Sequence, residues 1–145
     1  MGKYFFFLPL LFLQSGYSQE SDVKQAVTDF FTAFHQRDTV AMKAVLANEL
    51  ILHTVTEKAS GIALEVETRA DFLKQIASTP KSINYEEKLL SWNIQVDGKL
   101  AHVWTPYEFY VNGNIVHTGV NSFQLYWKNG TWKIIYCADT RNRPD

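Results

Sequence analysis

Three dipeptides, Asp97-Gly98, Asn112-Gly113 and Asn129-Gly130, do most to limit what this chain can fold into. The two central residues of a tight hairpin turn prefer positive φ, which Asn, Asp and Gly tolerate best. Each dipeptide is flanked by β-branched and aromatic residues. Three such turns in succession predict four consecutive antiparallel strands, over residues 84–96, 99–111, 115–128 and 131–139. All four are longer than an ordinary strand of five or six residues. Long strands in a small sheet twist and curl, and a curled sheet has a concave face that must be covered.

The segment upstream supplies the cover. Val23, Ala26, Val27, Phe30, Phe31 and Phe34 recur at helical spacing, opposite Lys24, Gln25 and Asp29. This predicts a helix capped by Ser21 or Asp22 and ending near Gln36. Asp38 or Thr39 caps a second, shorter helix whose apolar side is Val40, Met42, Val45 and Leu46. Leu50 to Val55 reads as a short strand. Glu57 to Thr68 reads as an irregular connection with a brief strand near Ile62-Leu64. Arg69 to Ala77 is a third helix, with Phe72, Leu73 and Ile76 apolar and Thr79-Pro80 as its stop.

The first residues belong to targeting rather than to the fold. Lys3 precedes an apolar run of ten, Tyr4 to Leu13, too short for a permanent membrane span. Gly16-Tyr17-Ser18 places small residues at the −3 and −1 positions of a cleavage site. Residues 1–18 therefore read as a secretory signal peptide, and 19–145 as one exported domain, periplasmic or secreted and without a stable membrane anchor. Loss of Lys3 takes the formal charge from −1 to −2. A charge so close to balance excludes a broad basic surface for nucleic acid. The single cysteine, Cys137, makes no internal disulfide and reads as a packed thiol within an apolar run. No Gly-rich phosphate loop, Cys-x-x-Cys pair or His-Glu-x-x-His helix is present, and no cofactor is expected.

The order helix, helix, short strand, helix, four-stranded meander resembles the nuclear transport factor 2-like superfamily. Within it, several stretches resemble the bacterial lumazine-binding group. They are Leu52-His53-Thr54-Val55, Arg69-Ala70-Asp71-Phe72-Leu73, Pro106-Tyr107-Glu108-Phe109-Tyr110, His117-Thr118-Gly119-Val120, Phe123-Gln124-Leu125, Gly130-Thr131-Trp132-Lys133-Ile134 and Asp139-Thr140-Arg141. The resemblance implies an α+β, cone-shaped barrel, a curled antiparallel sheet covered by three N-terminal helices. It also implies a small-molecule pocket at the open end and a homodimer through the outer sheet face. The superfamily includes isomerases, dehydratases, polyketide cyclases and non-catalytic members, so the fold leaves function open.

Strand alternation assigns the faces. Ala101, Val103, Thr105, Tyr107 and Phe109 share one face. His117, Gly119, Asn121, Phe123 and Leu125 share the matching face of the next strand, and Trp132, Ile134, Tyr136 and Ala138 that of the last. These mostly apolar sets should line the concave side. The candidate ligand-binding residues are thus His53, Tyr107, Phe109, His117, Asn121 and Phe123: a few polar groups on an apolar wall. The outer face carries Trp104, Glu108, Tyr110, Gln124 and Tyr126 and reads as a surface for a second copy.

Two classes of function remain. A binding protein for a small, partly polar, heteroaromatic molecule needs only this wall. An isomerase, dehydratase or cyclase needs a base, for which His117 or Asp139 is the candidate. No carboxylate lies on the inner faces of residues 99–128, which counts against the enzyme. Asp139 also reads as a partner for Arg141. His53, His117 and Asp139 lack recognisable metal-ligand spacing, so no metal site is expected. A third reading is an interaction module acting through Trp104, Tyr110 and Tyr126.

Overall fold

The computed structural model describes residues 15–144, with side chains from residue 19. The leader expected over residues 1–18 lies outside the residues whose side chains are described. The first helix, α1 (Ser15–Gln36), runs through Ser21 and Asp22, so neither caps it. Among the described residues no helix is long and apolar enough to cross a membrane. Arg37 ends α1 in the left-handed region, φ 55°, and lets Asp38 turn into the next helix. The Asp38 carboxylate accepts from the N–H groups of Val40 (3.0 Å) and Ala41 (2.9 Å) and caps α2 (Thr39–Val45). Met42 is buried as the spacing requires, but Val40 points to solvent.

Two strands stand where one and a connection were expected. β1 (Leu46–Lys58) pairs antiparallel with β2 (Gly61–Thr68) along the whole of the latter. Ile62, Leu64 and Val66 are all exposed, so β2 lacks a buried face and the alternation that announces a strand. Thr68 caps α3 (Arg69–Ser78) by accepting from Asp71 N–H. The expected strand 84–96 is broken by Leu90-Ser91-Trp92 into β3 (Tyr85–Leu89) and β4 (Asn93–Asp97). Both pair with β5 (Leu100–Val111), followed by β6 (Asn114–Lys128) and β7 (Thr131–Arg141).

The turns obey their dipeptides. Asn112, Gly113, Asn129 and Gly130 all take positive φ. At the first turn the register instead leaves Gly98-Lys99 as the loop, with Gly98 alone at positive φ. The resulting sheet runs β2-β1-β7-β6-β5-β3, with β4 also on β5. It is mixed rather than wholly antiparallel, because β1 and β7 run parallel. It curls without closing, and the α-helices fill its concave side. Phe30 and Phe31 meet Phe123 edge-on, at centroid distances of 6.0 and 5.9 Å.

One face assignment changes along β7. Trp132 and Ile134 are buried as expected, but Tyr136 is not. The ladder shifts between Ile134 and Tyr136, which pair with the consecutive residues Leu125 and Gln124. Ile135 is the extra residue of a β-bulge, and it reverses the phase beyond it. Cys137, Asp139 and Arg141 consequently face the concave side in place of Tyr136 and Ala138.

Candidate functional site

A cavity of about 310 Å³ opens between the helices and the sheet. Its apolar wall is built from Phe30, Phe31 and Phe34 of α1, Phe72 and Ile76 of α3, and Tyr85, Phe109 and Phe123 of the sheet. At the other end Glu67, Glu87, Tyr107, His117, Asn121, Asp139 and Arg141 converge. The order β7-β6-β5-β3 explains the convergence, since the inward positions of neighbouring strands fall into rows. The ladder sets Phe109 between His117 and Glu87, and Asn121 between Thr105 and Asp139.

Tyr107 organises the polar end. Its side chain is buried, and its hydroxyl donates to the Thr140 carbonyl at 2.8 Å, with a weaker approach of 3.4 Å to Asp139 Oδ2. His117 Nδ1 lies 3.2 Å from the Tyr107 hydroxyl oxygen. The hydroxyl has one hydrogen, and a carbonyl can only accept. With that hydrogen on Thr140, the imidazole donates from Nδ1 and keeps Nε2 as its acceptor. Burial, reinforced by the Arg141 charge, lowers the His117 pKa below its usual 6.5 and favours the neutral ring. The ring stacks on Phe109, 4.7 Å between centroids with planes 8° apart.

Asp139 is fully engaged. Its carboxylate accepts from Thr54 Oγ1 at 2.5 Å and from Arg141 Nε at 3.1 Å. Burial, and then the charges of Asp139 and Glu87, push the Tyr107 hydroxyl well above its ordinary range, so it stays protonated. Gly119 makes the close approach of these strands possible. A Cβ there would fall 1.9 Å from the Thr140 carbonyl oxygen and 3.0 Å from the Tyr107 ring.

Glu87 is the residue that sequence reasoning missed. Its Oε1 accepts from Asn121 Nδ2 at 2.6 Å, and its backbone N–H donates to His35 Nε2 at 2.9 Å. Burial raises its pKa to about 7, against the Asn121 bond and with help from the Asp139 charge. The signal was available: in Tyr85-Glu86-Glu87-Lys88-Leu89, Glu87 shares a face with Tyr85 and Leu89. Glu87 lies upstream of residues 99–128, the strands whose inner faces carry no carboxylate.

Five of the six expected site residues, Tyr107, Phe109, His117, Asn121 and Phe123, line the cavity together. His53 does not. Leu52 reaches the cavity and Thr54 bonds Asp139, so alternation turns His53 to the outer face, against Tyr136 with centroids 5.4 Å apart. Its placement inside is corrected accordingly. Cys137 is buried, and burial drives its thiol pKa up, making it an unreactive packed group. Among the described residues no three His, Cys, Asp or Glu side chains form a metal-holding group.

This geometry is that of an NTF2-like α+β cone, and solved structures share it. An NTF2-like protein from Cytophaga hutchinsonii superimposes with a TM-score of 0.71 at 16% identity, over 86% of this chain and 98% of its own. A candidate dehydratase of the NTF2-like family from Streptomyces avermitilis gives 0.67 at 15%, over 90% and 100%. The β subunit of a candidate aromatic-ring-hydroxylating dioxygenase from Novosphingobium aromaticivorans gives 0.73 at 8%, over 91% and 94%. At such identities the likeness extends to the fold alone. No family model matches the chain, and no curated protein matches its sequence.

Proposed function

We propose that this chain is an exported protein that binds a small, flat, partly polar organic molecule inside the cone. The observation that carries the reading is the division of one cavity into a wall of rings and a polar end. A heteroaromatic ligand, as the lumazine-binding resemblance implies, suits both halves: its faces pack on Phe109 and Phe72 while its edge meets Asn121 and His117. The test is native mass spectrometry of the protein purified from its own cell envelope. The expected result is a bound mass that disappears on denaturation. Folded protein that shows no saturable binding across a broad heteroaromatic panel would overturn the reading.

A second reading, acid–base catalysis, draws on Glu87. A cavity carboxyl with a pKa near 7 is suited to exchange a proton at neutral pH, and it offsets the argument from a missing base. Asp139 and His117 are weaker candidates, because Asp139 is held by Thr54 and Arg141 and His117 is tied to Tyr107. A candidate dehydratase is named among the proteins of this fold. Here captured compounds incubated with the protein should yield isomerised or dehydrated products, and Glu87→Gln should abolish turnover while retaining binding. Unaltered compounds would count against catalysis.

The outer face supports a homodimer. Trp104 is 48% exposed, and Ile62, Leu64, Val66 and Val55 add apolar surface on the same side.

A further inference from the structure

The cavity's donors and acceptors are unequally spent, and this deepens the binding reading on which it rests. Asn121 serves one oxygen of Glu87, and among the described residues no donor reaches the other. His117 presents Nε2 as an acceptor, its Nδ1 hydrogen being used on Tyr107. The Arg141 guanidinium is the one cation of the lining, and its Nε is spent on Asp139. Against it stand Glu67, Glu87 and Asp139, so the lining carries an excess of negative charge. The opposite wall is aromatic, and ring faces attract cations.

We propose that the pocket selects ligands carrying a hydrogen-bond-donating cation, a protonated amine or amidine on a flat apolar body, and that the free oxygen of Glu87 receives it. An anionic ligand would instead meet two uncompensated carboxyls with only the rim guanidinium to offset them. A neutral ligand would leave the Glu87 carboxylate unpaired in a desolvated site, which is costly.

The proposal has a signed pH dependence. Glu87 must ionise to receive a cation, so affinity should rise with pH through about 7. The groups around Glu87 are Tyr85 on its own strand, Tyr107 on β5, His117 on β6, Cys137, Asp139 and Arg141 on β7, and Glu67 on β2, with His35 of α1 behind its backbone. Protonation of His117 at lower pH opposes a cation too, and so acts in the same direction.

The test uses three ligands of one shape, naphthylmethylamine, naphthylmethanol and naphthoic acid, with calorimetry on the purified protein. At pH 8 the amine should bind at least about tenfold tighter than the alcohol, and the acid weakest. The amine's Kd should tighten about tenfold from pH 6 to pH 8, the change in ionised Glu87 for a pKa near 7. Glu87→Gln should remove the preference for the amine and most of the pH dependence, leaving only the smaller part that His117 contributes. Equal binding of all three, or preference for the acid, overturns this inference and leaves the pocket reading standing. If no member of the series binds the folded protein saturably, this inference is overturned, and the heteroaromatic panel decides the pocket reading.

Discussion

Single side chains decide whether this cavity exists, and Gly119 is the strictest. Its backbone is not in the left-handed region; the constraint is contact, since a Cβ would collide with the Thr140 carbonyl that Tyr107 needs. Gly119→Ala should therefore force β6 and β7 apart and cost about 2–4 kcal/mol in denaturant unfolding. Glu87 makes a different prediction. Its folded pKa of about 7 lies above its ordinary 4.5, so the native state holds a proton that the unfolded chain has released. Stability from this group is complete below about pH 4.5, falls as pH rises to about 7, and is level above that, a total of about 3 kcal/mol. Glu87→Gln should flatten that slope, so the variant gains on the wild type as pH rises from 5 to 8. An unchanged difference in Tm across that range would contradict the buried-carboxyl account. His35 and His117, whose pKa values are lowered, act with the opposite sign but are common to both proteins. At this scale the rings and Asn121 were legible from alternation. Glu87 was legible in principle, as was the pairing of Asp139 with Arg141, and the Thr54 bond to Asp139 was not.

Among the elements, those with a strong local signal were read correctly. Asp38, with two N–H groups on its carboxylate, starts α2 as expected. Asp38→Ala should cost about 1 kcal/mol in thermal or denaturant unfolding, with the cavity untouched. The Asn-Gly turns were equally plain, because positive φ is a property of the residues themselves. β2 was obscured by three exposed apolar residues at an edge. The β3–β4 break was obscured because Leu90-Ser91-Trp92 carries no turn dipeptide. The bulge at Ile135 misled most: one extra residue moves every later side chain to the other face. It brings Asp139 and Arg141 to the cavity and sends Tyr136 outward to meet His53.

For the whole molecule, the sheet's convex side raises the question of assembly. Trp104 lies on the convex side, and its exposure makes it the natural position to challenge the homodimer reading. Trp104→Glu should leave the circular dichroism spectrum and Tm nearly unchanged while converting a dimer to a monomer in light scattering. A wild-type protein that is already monomeric at working concentration would remove that reading. The sequence by itself determined the helices, the hairpins, the curl of a long-stranded sheet and most of the cavity's rings, because turn chemistry and side-chain periodicity are local. Only the tertiary structure decided the parallel pairing of β1 with β7, the outward turn of His53, and the meeting of Glu87 with Asn121. Those depend on which strands become neighbours and where a bulge resets the phase, and neither is encoded within reach of a single turn or strand.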